Sequence, residues 1–324
     1  MVKKLMNLTL AFGLVFSMSI SAFAASSELT GQEIPDDISG QRPVAIMIDN
    51  EKTALDHYGV SEADIVYEIM NSTKNGRITR LMCLYKDWKN LGQTGSIRSV
   101  RTTNIMIADE YDAVLIHDGG PFYIDTYFAQ PYAEHISGGF SRIKNGKPRE
   151  FTEYCFGDEL VKRFQKAGIS STYTQYSPER AKHFNFGENQ LAGGSAATTI
   201  DLSGSFKHNG SKLVYNEGTY DYYEYGKVHK DKEDDAVATF KNVILQNVSF
   251  AKLDENGYLT YNIIGQGSGY YITNGKAIPI TWSKGSELGM TKYYDAAGKE
   301  ITVNPGKTYI GIVPSDTWNT LKIN

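Results

Sequence analysis

Gly95-Ser96-Ile97-Arg98-Ser99-Val100-Arg101, followed by an apolar run to Tyr111 and then by Val114-Leu115-Ile116-His117-Asp118-Gly119-Gly120, is the stretch on which the expected architecture turns. Ser96 suits a helix N-cap, and Ile97, Val100, Ile105, Met106 and Ile107 recur on a roughly helical period. The spacing therefore predicts a helix from Ser96 to about Tyr111 that feeds a strand over Ala113 to His117. Upstream, Val44 to Ile48 is a continuous apolar run ending in Asp49-Asn50, as in a strand buried on both faces. Ser61 followed by Asp64 resembles a capping box. Ile65 to Met70 and Ile78 to Tyr85, separated by the turn Asn71 to Gly76, read as a hairpin carrying Glu68, Arg77 and Arg80 near its turn. Together these segments predict an α/β (α+β) N-terminal domain over residues 42–191, built on a mixed sheet with at least one crossover helix.

Working outward, Lys3 and Lys4 precede a mostly apolar stretch from Leu10 to Ile20, and Ala22-Phe23-Ala24 supplies a small-x-small cleavage pattern. This is the layout of an export signal over residues 1–24, too short in its apolar part for the roughly 20 residues a bilayer span needs. The expectation is an extracytoplasmic protein, secreted or associated with the envelope, with no membrane span after cleavage. Ser26 to Gln41 is polar and aperiodic, so residues 25–41 are expected to form a flexible linker. After Leu191 the composition changes to short β-type runs punctuated by Asn256-Gly257, Asn274-Gly275 and Pro305-Gly306, which predicts a mostly β C-terminal domain over residues 192–324.

The whole chain carries a formal charge of -4, and removal of Lys3 and Lys4 makes it -6. Such a mildly acidic chain gives no electrostatic reason to expect nucleic acid as a partner. Cys83 and Cys155 lie far apart; a disulfide, a pair of buried thiols and a nucleophile are all open, with the apolar run around Cys83 favouring a buried thiol.

Several segments then match a known family in order: Arg42 to Asn50, Ala63 to Glu68, Gly76 to Leu81, Gly95 to Arg101 and His117 to Gly120, with later matches at Gly226 to Asp231, Asn242 to Ile244, Gly267 to Gly269, Trp282 and Asn304 to Tyr309. On these segments the chain resembles the DUF3048, or YerB-like, family of exported and often lipid-anchored proteins. The resemblance implies an α/β region followed by a β region and brings no settled activity. The chain departs from the family pattern in lacking a lipobox cysteine after the export signal, and in carrying Ser96 where relatives usually have proline.

If Ser96 caps a helix, Arg98 and Arg101 sit on one face of its first turns, where cations oppose the macrodipole by about 0.3–1 kcal/mol and call for an anion. That anion is either internal, from Asp49, Asp64 or Glu68, or a ligand phosphate or carboxylate. Asp49, Asp64, Glu68, Arg80, Ser96, Arg98, Ser99, Arg101, His117, Gly119 and Gly120 are accordingly the candidate ligand-binding residues, and His117 the candidate acid/base. The leading expectation is a non-enzymatic protein that binds an anionic envelope component or a cell-wall assembly partner. The alternatives are a hydrolase or transferase acting on a phosphorylated or glycan envelope substrate, and a scaffold whose charges only brace the fold. No cofactor and no metal is expected, since no local ligand spacing is present. Gly265, Gly267 and Gly269 are expected between strands with no helix following, which argues against a dinucleotide loop, and His229 with Asp231 reads as part of a solvated charged turn.

Overall fold

The computed structural model describes residues 25–176 and 183–324; the expected export signal and the short helix expected to open at Ser177-Pro178 lie outside them. The apolar runs become the central strands β1 (Val44–Asp49), β2 (Ile65–Met70) and β3 (Thr79–Tyr85), each buried along its whole length. A helix α1 (Thr102–Glu110) then leads to β4 (Val114–His117) and β5 (His135–Ser137), and a second helix, α2 (Gly157–Ala167), follows. Strands continue through β6 (Ser195–Ala196), β7 (Thr199–Asp201), β8 (Lys212–Asn216), β9 (Thr219–Glu224), β10 (Lys227–Val228), β11 (Asn242–Val248), β12 (Leu259–Tyr261), β13 (Gly265–Thr273), β14 (Lys276–Lys284), β15 (Lys292–Tyr294), β16 (Thr308–Pro314) and β17 (Lys322–Ile323). Among the described residues the C-terminal half has no α-helix, as expected. No helix there is long and apolar enough to cross a membrane.

An eleven-stranded mixed sheet holds the molecule together, in the order β6-β14-β13-β11-β16-β2-β3-β1-β4-β5, with β15 on β14. β2 and β3 pair antiparallel as the hairpin spacing demands, β3 pairs antiparallel with β1, and β1 runs parallel to β4. The sequence change near Leu191 does not divide this sheet. β11 and β16, from the C-terminal half, run parallel to each other, and β16 runs parallel to β2, so the two halves share one sheet. Gly265, Gly267 and Gly269 lie inside β13 rather than between strands.

Period-two alternation divides the side chains of β1, β2 and β3 between two faces. Ala45, Met47, Tyr67, Ile69, Met82 and Leu84 join one core with Ile105 and Met106 of α1. Val44, Ile46, Ile48, Val66, Leu81 and Cys83 join the other, against Leu160 and Phe164 of α2 and Ile200, Leu213 and Tyr222 of a second sheet, β10-β9-β8-β7-β17. Cys83 and Cys155 are both free and buried; burial pushes the Cys83 thiol up to about 12, so it behaves as a small hydrophobe.

Residues 25–41 are not a free linker. Residues 25–26 pair with 33–34, Leu29 is fully buried, and Glu28 Oε1 lies 2.8 Å from Lys86 Nζ. The cause is Lys86, whose buried ammonium also donates to the carbonyls of Ser39 and Gln41 and so draws the segment onto the end of β3. Burying Leu29 adds about 1.5–3 kcal/mol to that attachment.

Candidate functional site

The predicted helix over Ser96 to Tyr111 is shorter than its apolar spacing suggests. Residues 96–100 run extended: Asp49 N–H donates to Ser96 O at 3.0 Å, Arg98 N–H to Met47 O at 3.0 Å, and Val100 N–H to Gly119 O at 3.1 Å. Ile97 and Val100, three apart, satisfy a helical period equally well, but here each lies in the core beside the end of β1. α1 begins after Arg101, where Asn104 Oδ1 accepts the Arg101 N–H at 3.0 Å. Ser96 is therefore buried and is not an N-cap, and its hydroxyl finds no hydrogen-bond partner in the protein. Arg98 lies before the helix altogether, and Arg101 stands at its boundary.

This extended segment forms one wall of a cleft of about 630 Å³ at the ends of β1 and β3, lined by Asp49, Arg80, Arg98, Ser99, Arg101 and, from the C-terminal half, Tyr258. Register explains the grouping: Asp49 and Arg80 are directly paired across β1 and β3, so their side chains leave the sheet on the same face. Arg98 Nε lies 2.5 Å from Asp49 Oδ2, and its Nη2 donates to the half-exposed Glu150 at 2.9 Å. Arg80 Nη1 donates to Ser99 O at 2.7 Å, while its Nη2 stays 3.9 Å from Asp49 Oδ2. Burial lowers Arg80 to about 10, Asp49 opposing the shift, which leaves it cationic at neutral pH.

Arg101 differs from both. Its guanidinium carbon sits 4.2 Å from the centre of the Tyr258 ring, Nη1 donates to Val100 O at 2.8 Å, and no carboxylate of the described residues comes within 4 Å of it. The Nε atoms of Arg80 and Arg101 are buried without a hydrogen-bond acceptor, whereas Arg98 Nε faces Asp49. Lys74 adds a further cation to the lining and Glu51 and Glu150 add carboxylates, so with Asp49 the cleft holds four cations against three anions.

The other expected members lie elsewhere. Glu68 pairs with Leu81, not Arg80, and so points to the opposite face of the sheet, where it is fully buried. There it accepts hydrogen bonds from Thr79 (2.7 Å), Ser211 (2.6 Å), Tyr222 (3.1 Å) and Tyr309 (2.6 Å), and burial raises its carboxyl to about 7. Asp64 accepts the Lys86 N–H at 2.7 Å and is held at about 6 by burial, away from the cleft. His117 is at the end of β4 as expected, but it turns sideways. Its Nδ1 contacts Gly119 O at 2.8 Å, its Nε2 contacts His135 Nδ1 at 3.0 Å, and its ring stacks on Phe128. With both nitrogens engaged and burial lowering it to about 4, His117 is a neutral scaffold imidazole outside the cleft lining. Gly119 supplies the carbonyl that receives both Val100 N–H and the imidazole, and Gly120 permits a close approach, since a Cβ there would come within 2.3 Å of Ile124.

Sequence reasoning missed Tyr258, His208, Asn256 and Glu150 of the lining, because the fold brings them in from distant segments, and also Lys74, which sits in the turn between β2 and β3. The solvated turn expected at His229 and Asp231 is also corrected: both are buried. The hairpin of β9 and β10 turns at Tyr225-Gly226, and His229 N–H donates to Tyr222 O, which carries the ring inward with Tyr222.

Residues 29–170 match the N-terminal domain, and residues 200–310 the C-terminal domain, of the protein family of unknown function DUF3048. A relative from Bacillus subtilis (strain 168), called "Putative lipoprotein YerB", is 23% identical over 298 residues, covering 88% of this chain and 85% of its own. The crystal structure of the YerB protein from Bacillus subtilis superposes with a TM-score of 0.78 at 22% identity, covering 92% of this chain and 99% of that one, and shares its fold. With both domain matches in order along one continuous sheet, the chain belongs to the DUF3048 family.

Proposed function

We propose that the cleft over β1 and β3 binds an anionic group, phosphate or carboxylate, of an envelope component, and that the protein works outside the cytoplasm as a binding protein. The single observation that carries this reading is Arg101, a buried guanidinium stacked on Tyr258 and lacking a carboxylate partner among the described residues, beside Arg80 and Lys74 in an open cleft. A planar, stacked guanidinium with its Nε free of acceptors suits bidentate recognition of an oxyanion. The Lys3-Lys4 and Ala22-Phe23-Ala24 pattern supports export, as does the lipoprotein name of the Bacillus subtilis relative. Arg98, by contrast, serves Asp49 and Glu150 and positions the wall.

The test is thermal stabilisation of the chain by inorganic phosphate, pyrophosphate, citrate and a poly(glycerol phosphate). A ligand at ten times its Kd adds about 1.4 kcal/mol to stability, a shift of about 2 °C for a chain of this length that shrinks as salt is raised. The reading predicts that shift in the wild type and its loss in a folded Arg101→Gln variant. It is overturned if none of the four probes stabilises the wild type, or if Arg101→Gln responds equally.

A further inference from the structure

Behind Asp49, on the other side of the cleft floor, three buried side chains converge that the anion site does not use. Glu224 ends β9 and His229 follows β10 in the same hairpin. His57 approaches from the segment after β1, held by the backbone bond from Lys232 N–H to His57 O at 2.8 Å. One donor atom from each of the three lies within 4.8 Å of the other two. We propose that His57, Glu224 and His229 form a divalent transition-metal site of the zinc class.

His57 Nε2 contacts the carbonyl oxygen of Asp49 at 2.6 Å. A carbonyl only accepts, so Nε2 carries the proton and Nδ1 presents a bare lone pair, 3.7 Å from Glu224 Oε1. That is the arrangement in which metal-ligating histidines are held, one nitrogen toward a backbone carbonyl and the other toward the ion. His229 Nδ1 lies 2.7 Å from the same Glu224 oxygen. His57 Nδ1, Glu224 Oε2 and His229 Nε2 are all buried without a hydrogen-bond partner. Buried polar atoms are satisfied in the great majority of cases, so the bare His57 Nδ1 facing Glu224 Oε1 calls for something that accepts its lone pair.

Both imidazoles are kept neutral, the ligating form, because burial lowers each to about 4, and burial raises Glu224 to about 7 in the absence of a compensating cation. Two imidazoles and one carboxylate select zinc, cobalt or nickel over magnesium or calcium. Zinc bonds of about 2.0–2.1 Å place tetrahedral ligands about 3.3 Å apart, so the 3.7 Å pair has to close slightly around the ion and the 2.7 Å pair to open. Glu224 and His229 also line a cavity of about 270 Å³ together with Asp56, Lys52, Lys227 and Lys230, the side from which an ion and a fourth ligand would enter. Three protein ligands with an open fourth position are the form taken by zinc sites that bind or activate a further ligand.

The experiment uses the full chain, stripped of metal by chelation and carrying no histidine tag, titrated with zinc by calorimetry and with cobalt by visible absorption. One equivalent of zinc and the intense d–d bands of tetrahedral cobalt are expected. Glu224→Gln and His229→Gln, each checked for its fold by near-ultraviolet circular dichroism, weaken zinc by at least about 100-fold, and His135→Gln, at the other histidine pair, leaves it unchanged. X-ray absorption of the zinc-loaded wild type, showing two imidazoles at the metal, decides the matter should a variant fail to fold. The proposal is overturned by wild-type protein that takes up neither metal, by cobalt without tetrahedral bands, by binding that survives His229→Gln, or by binding lost in His135→Gln.

Discussion

The same three strands, β1, β2 and β3, carry polar groups on both faces, and the two faces treat them differently. On one, Glu68 is enclosed with Thr79, Ser211, Tyr222 and Tyr309, each donating to its carboxylate. On the other, Arg80, Arg98 and Arg101 surround an open cleft with Asp49, and Arg80 and Arg101 each keep a buried Nε with no acceptor. Both faces bury charge. The lesson lies in the accounting of hydrogen bonds: a closed, saturated cluster braces the fold, whereas an open cluster with surplus donors is equipped for an anion from outside.

Breaking the closed side has the largest expected effect. Glu68→Ala takes the shared acceptor from four buried hydroxyls, leaving Thr79 with Asn209 Oδ1, and is predicted to cost about 3–5 kcal/mol in urea unfolding while leaving cleft residues in place. A loss below about 1 kcal/mol would erase the contrast. On the open side, Arg101→Gln is expected to change stability by no more than about 1 kcal/mol, the worth of its contact with Tyr258, while weakening anion binding more than tenfold.

The pH dependence sharpens the same contrast. Burial raises the folded Glu68 carboxyl to about 7, above its unfolded value, so the native state holds this proton more tightly. Its contribution is most favourable below the unfolded pKa and declines as pH rises toward and through 7. Glu68→Gln, which cannot ionise, should therefore gain on the wild type between pH 5 and 7.5, read as the difference between two urea series. Taking the difference matters because His57, His117 and His229, all lowered to about 4 by burial, lose stability in the opposite direction, as pH falls from 6.5 to 4. The smallest predicted effect is that of Ser96→Ala, under about 0.5 kcal/mol by thermal denaturation, because the hydroxyl has no partner; a true N-cap would cost about 1 kcal/mol.

Much of the architecture is legible in the residues themselves. The apolar runs ending in Asp49 and His117, the hairpin over Ile65 to Tyr85, the helix over Gly157 to Ala167 and the β-rich second half all follow from period and turn chemistry. The site was half legible. Asp49, Arg80, Arg98, Ser99 and Arg101 do line one cleft, yet nearness in sequence groups Glu68 with them, and strand register alone sends it to the other face. Residues 96–100 misled because a spacing of three apolar positions fits a helix as well as an extended segment. Only the bonds to Met47, Asp49 and Gly119 decide between them. His229 and the segment around Leu29 were read as solvated from their polar neighbours, and in each case a partner distant in the sequence, Glu28 with Lys86 or His57 with Glu224, supplies the reason for burial. Tyr258 could not be found from local pattern, since its role exists only once β12 packs beside α1.

The most direct test of the open face is calorimetric titration of pyrophosphate into the wild type and into Arg101→Gln at two salt concentrations. The account predicts saturable, salt-weakened binding at one site in the wild type and at least a tenfold higher Kd in the variant. Equal affinity in both proteins, or the absence of binding to the wild type at low salt, would contradict it.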